Sequence, residues 1–444
     1  MKDVTRRYAG QNVPRYTSYP TAADFTPMVG PADHSAWLAR LDGQQSISVY
    51  LHVPYCREIC LYCGCNTKMA VRDDVISRYR RALEAEIGLV ASLIGKPPGI
   101  ARLHWGGGTP SILGLEGLKS VLTALGSHFR FDASFEHAIE LDPRYVTAEL
   151  ASGLAELGAT RASLGVQDVN PLVQLAIGRI QPLSAVESAA DRLRSAGIRS
   201  LNFDLIYGLP MQTLESIRNT CALVAAMGPD RIACFGYAHL PRLKANQRGI
   251  DEASLPFLDQ RMAQAELMAE ELVRFGYVRI GIDHFAKPAD SLVSAAASGK
   301  LRRNFQGYTD DDRQILLGLG ASSISTFADG FVQNISDVPK YIHAIEAGGL
   351  ASARGRRLDE DDLRRARIIE RLMCDFSADL SVIAPGVDFS GEFSILAPMI
   401  GDRLAEIQGT KLVVTEAGRP VVRVVAAAFD TCRRPQTAQF SKAV

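Results

Sequence analysis

Four cysteines between residues 56 and 65 have the clearest potential for chemistry. The chain has eight cysteines, so half of them fall within ten consecutive residues. Cys56, Cys60 and Cys63 are spaced C-x3-C-x2-C, and Cys65 follows one residue after Gly64. Three thiolates on one loop can ligate three irons of a 4Fe-4S cluster, which leaves the fourth iron open to a small molecule. Structural zinc usually needs two separated ligand pairs, so this crowding disfavours it.

A glycine run is the second signal. Trp-Gly-Gly-Gly-Thr-Pro follows a strand-like segment at residues 105–110. It lacks the spacing of dinucleotide-binding and Walker loops, so it predicts close backbone contact with another ligand, or else a tight turn. Further candidate residues end the four following strand-like segments, namely Glu140, Gln167, Asp168, Asp204, Tyr237 and Ala238. The carboxyl ends of parallel strands carry the active site in such folds, so we expect one shared site.

A repeating βα scaffold would position these residues, and the hydrophobic pattern predicts one from residue 46 onward. Short β-branched runs predict strands at 46–53, 101–105, 135–141, 161–167, 199–206 and 231–237. Helical periodicity predicts helices at 73–95, 115–126, 147–157, 184–196 and 213–227. The six units predict an α/β fold with a parallel sheet, either open or curled into a partial (β/α)6 barrel.

The rest of the chain predicts three flanking regions around a barrel at 46–240. Residues 1–45 form an N-terminal extension near the active site. Residues 241–354 elaborate the barrel and include a predicted helix at 258–276. Residues 355–444 predict a mostly helical, winged-helix-like domain, with a hairpin in KLVVTEAGRPVVRVV. The four cysteines outside the cluster are expected only to pack, namely Cys221, Cys234, Cys374 and Cys432.

Composition excludes several classes of protein. Lys plus Arg and Asp plus Glu are both 49, so 49 − 49 leaves no net charge, which disfavours nucleic-acid binding. Hydrophobic residues make up 47% of the 444 residues, which excludes global disorder. We find neither an export signal nor an apolar run long enough to span a membrane. We expect a cytoplasmic protein, and we expect a monomer because no apolar surface stripe demands a partner.

The cysteine loop and the glycine run resemble the radical S-adenosylmethionine (SAM) superfamily. A longer ordered set of motifs resembles one family within it, the oxygen-independent coproporphyrinogen III dehydrogenases, also called anaerobic oxidases. The matching segments are PRYTSYPTA (14–22), YLHVPYCREICLYCGCN (50–66), LHWGGGTP (103–110), IELDPR (139–144), LGVQD (164–168), NFDLIYGLP (202–210), YAHLP (237–241), DHFAKP (283–288), NFQGYT (304–309) and the terminal QFSKAV.

This resemblance implies one 4Fe-4S cluster ligated by Cys56, Cys60 and Cys63, with Cys65 nearby but not ligating, and two bound SAM molecules. The implied contacts to the cluster-bound SAM are Tyr50, Gly107, Glu140 and Ile324. The implied contacts to the second SAM are Tyr62, Gly108, Thr109, Gln167, Arg179, Asp204 and Ala238. The family often has Phe at position 62, and Tyr62 keeps the aromatic ring.

The implied reaction converts two propionates of coproporphyrinogen III to vinyl groups, with an electron donor such as flavodoxin or ferredoxin. We hypothesise that Arg15 and some of Arg302 and Arg303 bind propionates, while His52 and His284 are polar contacts without a catalytic role. Three alternatives remain: a heme chaperone of the same ancestry, another tetrapyrrole-directed radical SAM enzyme, or a DNA-binding regulator. The chaperone typically lacks RYTSYP, the extra cysteine and NFQGYT.

Overall fold

The computed structural model describes residues 2–433 and 442–443, so most of the terminal QFSKAV motif lies outside the described residues. The strands are β1 (Ser46–Val53), β2 (Tyr55–Cys56), β3 (Lys68–Met69), β4 (Gly99–Gly107), β5 (Arg130–Leu141), β6 (Arg161–Gln167), β7 (Ser200–Tyr207), β8 (Arg231–Gly236), β9 (Val278–Ile280), β10 (His284–Ala286), β11 (Arg302–Asn304), β12 (Gly307–Thr309), β13 (Leu316–Leu319), β14 (Ile324–Phe327), β15 (Gly330–Asn334), β16 (Ser352–Arg357), β17 (Ser377–Asp379), β18 (Ala405–Gln408) and β19 (Lys411–Val414).

The helices are α1 (Lys2–Ala9), α2 (Pro31–Leu38), α3 (Asp73–Ser92), α4 (Gly114–His128), α5 (Ala148–Glu156), α6 (Pro171–Ala176), α7 (Leu183–Ser195), α8 (Leu214–Met227), α9 (Leu258–Arg274), α10 (Ser291–Ala297), α11 (Val338–Glu346), α12 (Glu360–Asp375), α13 (Leu380–Ile383), α14 (Ser390–Gly401) and α15 (Val422–Ala426). No helix in the described ranges is long and apolar enough to cross a membrane.

One twelve-stranded sheet contains the six predicted strands side by side. Its order is β16-β15-β14-β13-β1-β4-β5-β6-β7-β8-β10-β9. Neighbours from β1 to β8 in this order pair in parallel, which confirms the predicted βα scaffold. β13 joins β1 in parallel, and the strands beyond it pair antiparallel. The region after residue 240 therefore extends both edges of the sheet, with strands too short to show a period in the sequence.

Helix α3 shows how the apolar pattern positions the scaffold. Ile76, Tyr79, Leu83 and Ile87 are buried against the sheet, as their three- and four-residue spacing predicts. Val75 was expected on the same face but is 37% exposed, whereas Ile76 in the same first turn is buried. The acidic first turn suits the helix dipole.

A second hydrophobic core joins the two ends of the chain. Tyr8, Val13, Tyr16 and Tyr19 pack among buried residues of α12, α14 and α15 and of the small sheet β17-β19-β18. Arg423 donates side-chain hydrogen bonds to the carbonyl oxygens of Val13, Pro14, Lys442 and Ala443. The N-terminal segment is thus packed on the C-terminal unit.

The expected hairpin in the C-terminal unit was placed wrongly. Its strands are β18 and β19, which join through Gly409 and Thr410. The second predicted run, after Glu416-Ala417-Gly418, instead forms a short 3-10 turn and α15. The four valines of this segment are buried, namely Val421, Val422, Val424 and Val425. Over so short an apolar run, the sequence pattern of a buried helix cannot be distinguished from that of a buried strand. The winged-helix assignment stays a prediction.

Candidate active site

A cavity of about 1600 Å³ lies within the curled sheet. Five predicted SAM contacts line it: Tyr50, Gly107, Glu140, Asp204 and Ile324. They come from β1, β4, β5, β7 and β14, which are neighbours or near neighbours in the sheet. Tyr50 and Ile324 lie 274 positions apart in the sequence (324 − 50), and the sheet brings both to the same cavity.

The glycine run passes too close to other groups to carry side chains. Gly107 has a φ of +112°, and an added Cβ would lie 2.7 Å from the His52 ring. An added Cβ on Gly108 would lie 2.4 Å from the Tyr55 carbonyl oxygen. The Gly107 N–H donates to Glu140 Oε2 at 3.2 Å. The run therefore exposes its backbone beside a carboxylate at the cavity wall.

Glu140 belongs to a polar network that the sequence only partly predicted. His104 Nε2 lies 3.1 Å from Glu140 Oε1, and we had not singled out His104. The Tyr50 hydroxyl lies 3.0 Å from His52 Nδ1, and His52 Nε2 lies 3.0 Å from the Asn66 carbonyl oxygen. Both ring nitrogens of His52 therefore have a polar partner within the described residues. Burial, and secondarily Glu140, raise the pKa of Tyr50 well above its usual value.

The cysteine loop presents free thiols in surroundings that suit an iron–sulfur cluster. Thr109 Oγ1 donates to Cys56 Sγ at 3.4 Å, and Arg179 Nη1 donates to Cys60 Sγ at 3.4 Å. Such hydrogen bonds to ligating sulfurs tune cluster potentials. A hydrogen bond from Cys65, with nearby positive charge, holds the pKa of the Cys63 thiol below its usual value. A lowered pKa favours the thiolate form of cysteine, which is the form that ligates metals.

In the described part of the chain, no group of three or more His, Cys, Asp or Glu side chains is arranged to hold a single metal ion.

Two residues that the sequence did not single out hold the loop in place. Asn246 Nδ2 lies within hydrogen-bond distance of the carbonyl oxygens of Cys60 and Cys63. Gln247 Nε2 donates to the carbonyl oxygens of Tyr62 and Ala238, at 2.9 and 3.1 Å. Both lie after β8, in the irregular connection, where no pattern marked them.

Arg179 connects the loop to the barrel. Its guanidinium is buried, pairs with Asp142 at 3.1 Å and donates to the Gly165 carbonyl oxygen at 2.9 Å. Gln167, at the end of β6, has a φ of +66°, a left-handed conformation that is uncommon outside glycine. Six of the predicted contacts to the second SAM do not line the cavity. They lie in or beside the cysteine loop and at the ends of β4, β6 and β8, namely Tyr62, Gly108, Thr109, Gln167, Arg179 and Ala238.

Asp204 is a carboxylate held inside the barrel. Ser163 Oγ donates to it at 3.1 Å and Asn202 Nδ2 donates at 2.8 Å. Burial, and then the charge of Glu140, raise the pKa of Asp204 to about 6. Perturbed carboxyl groups of this kind are concentrated in functional sites.

The predicted propionate contacts separate in the structure. Arg15 and Arg303 both line the cavity. Arg302 points to the other side of β11, where Nε pairs with Glu370 at 2.7 Å, and it does not line the cavity. Neighbouring residues of a strand face opposite sides, so of these two only Arg303 is placed to meet a cavity ligand.

Comparison with protein-family models identifies the class to which this protein belongs. A family model described as the radical SAM superfamily matches residues 50–224, which include the cysteine loop and β4 to β7. The molecule is a radical SAM protein. Membership of this superfamily implies a 4Fe-4S cluster and SAM, and the thiols and their donors fit that cluster.

The similarity extends over the whole chain. It is 44% identical over 447 residues to an oxygen-independent coproporphyrinogen III oxidase from Bradyrhizobium diazoefficiens, covering 100% of this chain and 99% of that protein. It is 40% identical to the protein of that name from Paracoccus denitrificans, covering 94% of each. The solved coproporphyrinogen III oxidase from Escherichia coli, described as a radical SAM enzyme, matches with a TM-score of 0.89 and 37% identity, covering 95% of this chain and 100% of that one. The chain belongs to the oxygen-independent coproporphyrinogen III oxidase family.

Proposed function

We propose that this chain catalyses the oxygen-independent oxidative decarboxylation of two propionates of coproporphyrinogen III, giving the vinyl groups of protoporphyrinogen IX. The observation that carries this proposal is 44% identity over the full chain to a relative with that named activity. A cavity of about 1600 Å³, lined by arginines and bordered by the cysteine loop, supports it. The activity serves heme biosynthesis.

The proposed roles of the cofactor-binding residues follow the two groups in the structure. Cys56, Cys60 and Cys63 would ligate the cluster, which with bound SAM supplies reductive cleavage of SAM and removal of a hydrogen atom from substrate. We propose two SAM sites. Residues of the cavity wall would hold the first: Tyr50, Gly107, Glu140 and Ile324. Residues beside the loop, together with Asp204, would hold the second: Tyr62, Gly108, Thr109, Gln167, Arg179 and Ala238.

The protein's own contribution is to bind, orient and exclude water. The backbone of the glycine run can approach the amino and carboxylate ends of SAM, beside Glu140. Buried walls limit the access of water and oxygen to a reactive intermediate. Arg15 and Arg303 would meet the negatively charged propionates in the cavity.

Four further properties belong to this proposal. A flavodoxin or ferredoxin would donate electrons, the protein would act as a monomer, and it would work in the cytoplasm. The chain would divide into an extension at 1–45, the barrel at 46–240, a connecting region at 241–354 and a C-terminal domain at 355–444. Packing of the extension against the second core supports a role for it near the cavity.

The test is an anaerobic assay of the reconstituted protein with a reductant, SAM and coproporphyrinogen III. We expect protoporphyrin fluorescence and 5′-deoxyadenosine to appear together in the wild type. Cys60→Ala should lose the cluster absorbance and both products, because one cluster ligand is missing. Cys221→Ala is the matched control, since this buried thiol lies in α8 and should leave the cluster intact.

Two results would contradict the proposal. Release of 5′-deoxyadenosine without a vinyl product would keep the radical chemistry but remove the substrate assignment. Tight stoichiometric heme binding without either product would favour a heme chaperone.

A further inference from the structure

Asp283 joins two other side chains of the cavity wall. Asp283 Oδ1 lies 2.7 Å from His284 Nδ1, and Asp283 Oδ2 accepts a hydrogen bond from Arg303 Nη2 at 3.3 Å. All three residues line the cavity. One carboxylate therefore holds an imidazole and a guanidinium in the same part of the wall.

The Tyr308 ring supports both of these groups. The Arg303 Cζ atom lies 4.4 Å from the ring centroid of Tyr308, and the His284 ring packs against it edge-on at 5.3 Å. The Tyr308 hydroxyl donates to the Met373 carbonyl oxygen at 2.7 Å, which fixes the ring. Gly307 leaves room for the imidazole, because an added Cβ would lie 2.5 Å from His284 Nε2. The Tyr308 ring and Gly307 thus fix the positions of the guanidinium and the imidazole.

The polar groups of this arrangement are incompletely satisfied. The Arg303 side chain is only 3% exposed, yet Nε and Nη1 have no acceptor within residues 2–433 and 442–443. In the same described ranges, Nδ1 is the only nitrogen of His284 with a hydrogen-bond partner. A buried donor without an acceptor is unfavourable, and a ligand that supplies oxygen atoms would relieve this.

Two further arginines beside the arrangement favour an anionic ligand. Arg279 and Arg423 line the same cavity. Burial, and then the neighbouring Arg15, lower the pKa of Arg423 to about 9, and burial with Arg419 lowers the pKa of Arg279. Desolvated cations that repel one another are stabilised by a nearby negative charge.

Two carboxylates of the same wall already have arginine partners. Asp259 pairs with Arg6 at 2.8 Å, and Glu416 pairs with Arg419 at 2.7 Å. They lie on α9 and after β19, and within the described residues neither accepts a hydrogen bond from Arg303 Nε or Nη1. They are therefore poor candidates to supply the acceptors that Arg303 lacks.

We propose that Arg303 and His284, both held by Asp283, bind one propionate carboxylate of the tetrapyrrole substrate. This inference rests on the proposed function and specifies how the substrate is recognised. Phe305 follows in the same hairpin, and its ring contacts Tyr50 edge-on at a centroid distance of 4.6 Å. The carboxylate site thus lies beside the proposed contact to the first SAM, where a propionate side chain must enter to react.

The test compares coproporphyrinogen III with its tetramethyl ester, which keeps the pyrrole N–H groups but has no carboxylate. Anaerobic equilibrium binding to the holoenzyme is measured for the wild type, Arg303→Gln, Arg303→Lys and His284→Gln. We expect Arg303→Gln to lower the ratio of acid to ester affinity about tenfold or more, as the loss of a charged hydrogen bond does. His284→Gln should lower it less, and Arg303→Lys should recover part of it by keeping the charge.

Arg302→Gln is the matched control, because this neighbouring arginine faces Glu370 outside the cavity. It should bind both compounds as the wild type does. Cluster content and SAM binding should be equal in every variant, which separates loss of the carboxylate site from misfolding.

An unchanged ratio of acid to ester affinity in Arg303→Gln would overturn the inference. If both affinities fell equally, Arg303 and His284 would contact the ring or stabilise the fold, and if neither fell, they would not contact the substrate. Failure of the proposed function is a different result, because the wild type itself would then form no vinyl product from coproporphyrinogen III.

Discussion

At the residue scale, the candidate site depends on close approaches that few side chains permit. The backbone at Gly107 lies against the His52 ring and donates to Glu140. The single guanidinium of Arg179 interacts with the Cys60 thiol, the Asp142 carboxylate and the carbonyl oxygen of Gly165 in β6. Replacing either residue should therefore change the site before it changes the fold.

Gly107→Ala should weaken SAM binding while leaving the cluster in place. The new Cβ would meet His52 at 2.7 Å, and alanine at a φ of +112° adds backbone strain of about 1–3 kcal/mol. We expect SAM affinity, measured by equilibrium binding to the reconstituted protein, to fall about tenfold or more. Gly95→Ala is the control, because nothing lies within 4 Å of its added Cβ. Unchanged SAM affinity in Gly107→Ala would show that this backbone does not contact the cofactor.

At the element scale, a buried carboxyl group joins α3 to the edge of the sheet. Glu86 accepts hydrogen bonds from the Gly320 N–H, Asn334 Nδ2 and the Tyr341 hydroxyl, each at 2.6 Å. Burial outweighs these bonds and raises the pKa of Glu86 to about 7. This network joins the residue that follows β13, the end of β15 and helix α11 to the helix that begins after the cysteine loop.

Glu86 should make the protein less stable as the pH rises. A carboxyl group whose pKa is higher in the folded state contributes stability at low pH and loses it as the pH passes the folded pKa. Between about pH 5.5 and 8, the free energy of unfolding should fall by about 1–3 kcal/mol more in the wild type than in Glu86→Gln. Urea denaturation of the cluster-free proteins at both pH values measures this difference.

Glu346→Gln is the control for this measurement. Glu346 lies at the end of α11, and its hydrogen bond with Arg78 lowers its pKa, so it is already ionised throughout this range. It should show the pH dependence of the wild type. Parallel pH dependence of the wild type and Glu86→Gln would mean that Glu86 is ionised in the folded protein at both pH values.

At the scale of the whole molecule, the two ends of the chain close one side of the cavity together. Arg15 and Arg423 both line the cavity, and Arg423 bonds carbonyl oxygens from both termini. An antiparallel bridge between Asn12 and Lys442 adds a backbone link. The C-terminal unit therefore helps to hold the segment that carries Arg15 at the cavity wall.

Arg423→Gln should loosen this closure without unfolding the barrel. Carbonyl oxygens left without donors cost about 1–3 kcal/mol, and that cost falls on the segment around residues 11–16. Hydrogen exchange there should become faster, while exchange in β1 and β4 stays as in the wild type. Arg419→Gln is the control in the same unit, because its side chain is 33% exposed and pairs with Glu416. Wild-type exchange around residues 11–16 in Arg423→Gln would rule out this closure.

Local sequence pattern was sufficient to predict the parallel strands at whose ends the candidate site residues lie. β1 and β6 have the predicted bounds, and the other four parallel strands overlap their predictions. This succeeds because β-branched runs and helical periodicity are local properties of the chain. The cysteine spacing is also local, since a single loop carries all three thiols.

Only the tertiary structure decided which distant residues meet. The short strands β9 to β16 carry little periodicity, and their pairing depends on neighbours far along the chain. Asn334 bonds Glu86 across 248 positions, and no local pattern marks either residue as a partner of the other. Arg302 and Arg303 are equivalent in the sequence pattern. Because successive side chains of β11 point to opposite faces, Arg302 pairs with Glu370 and Arg303 lines the cavity. Local periodicity determines elements, whereas long-range packing determines which of their side chains share a site.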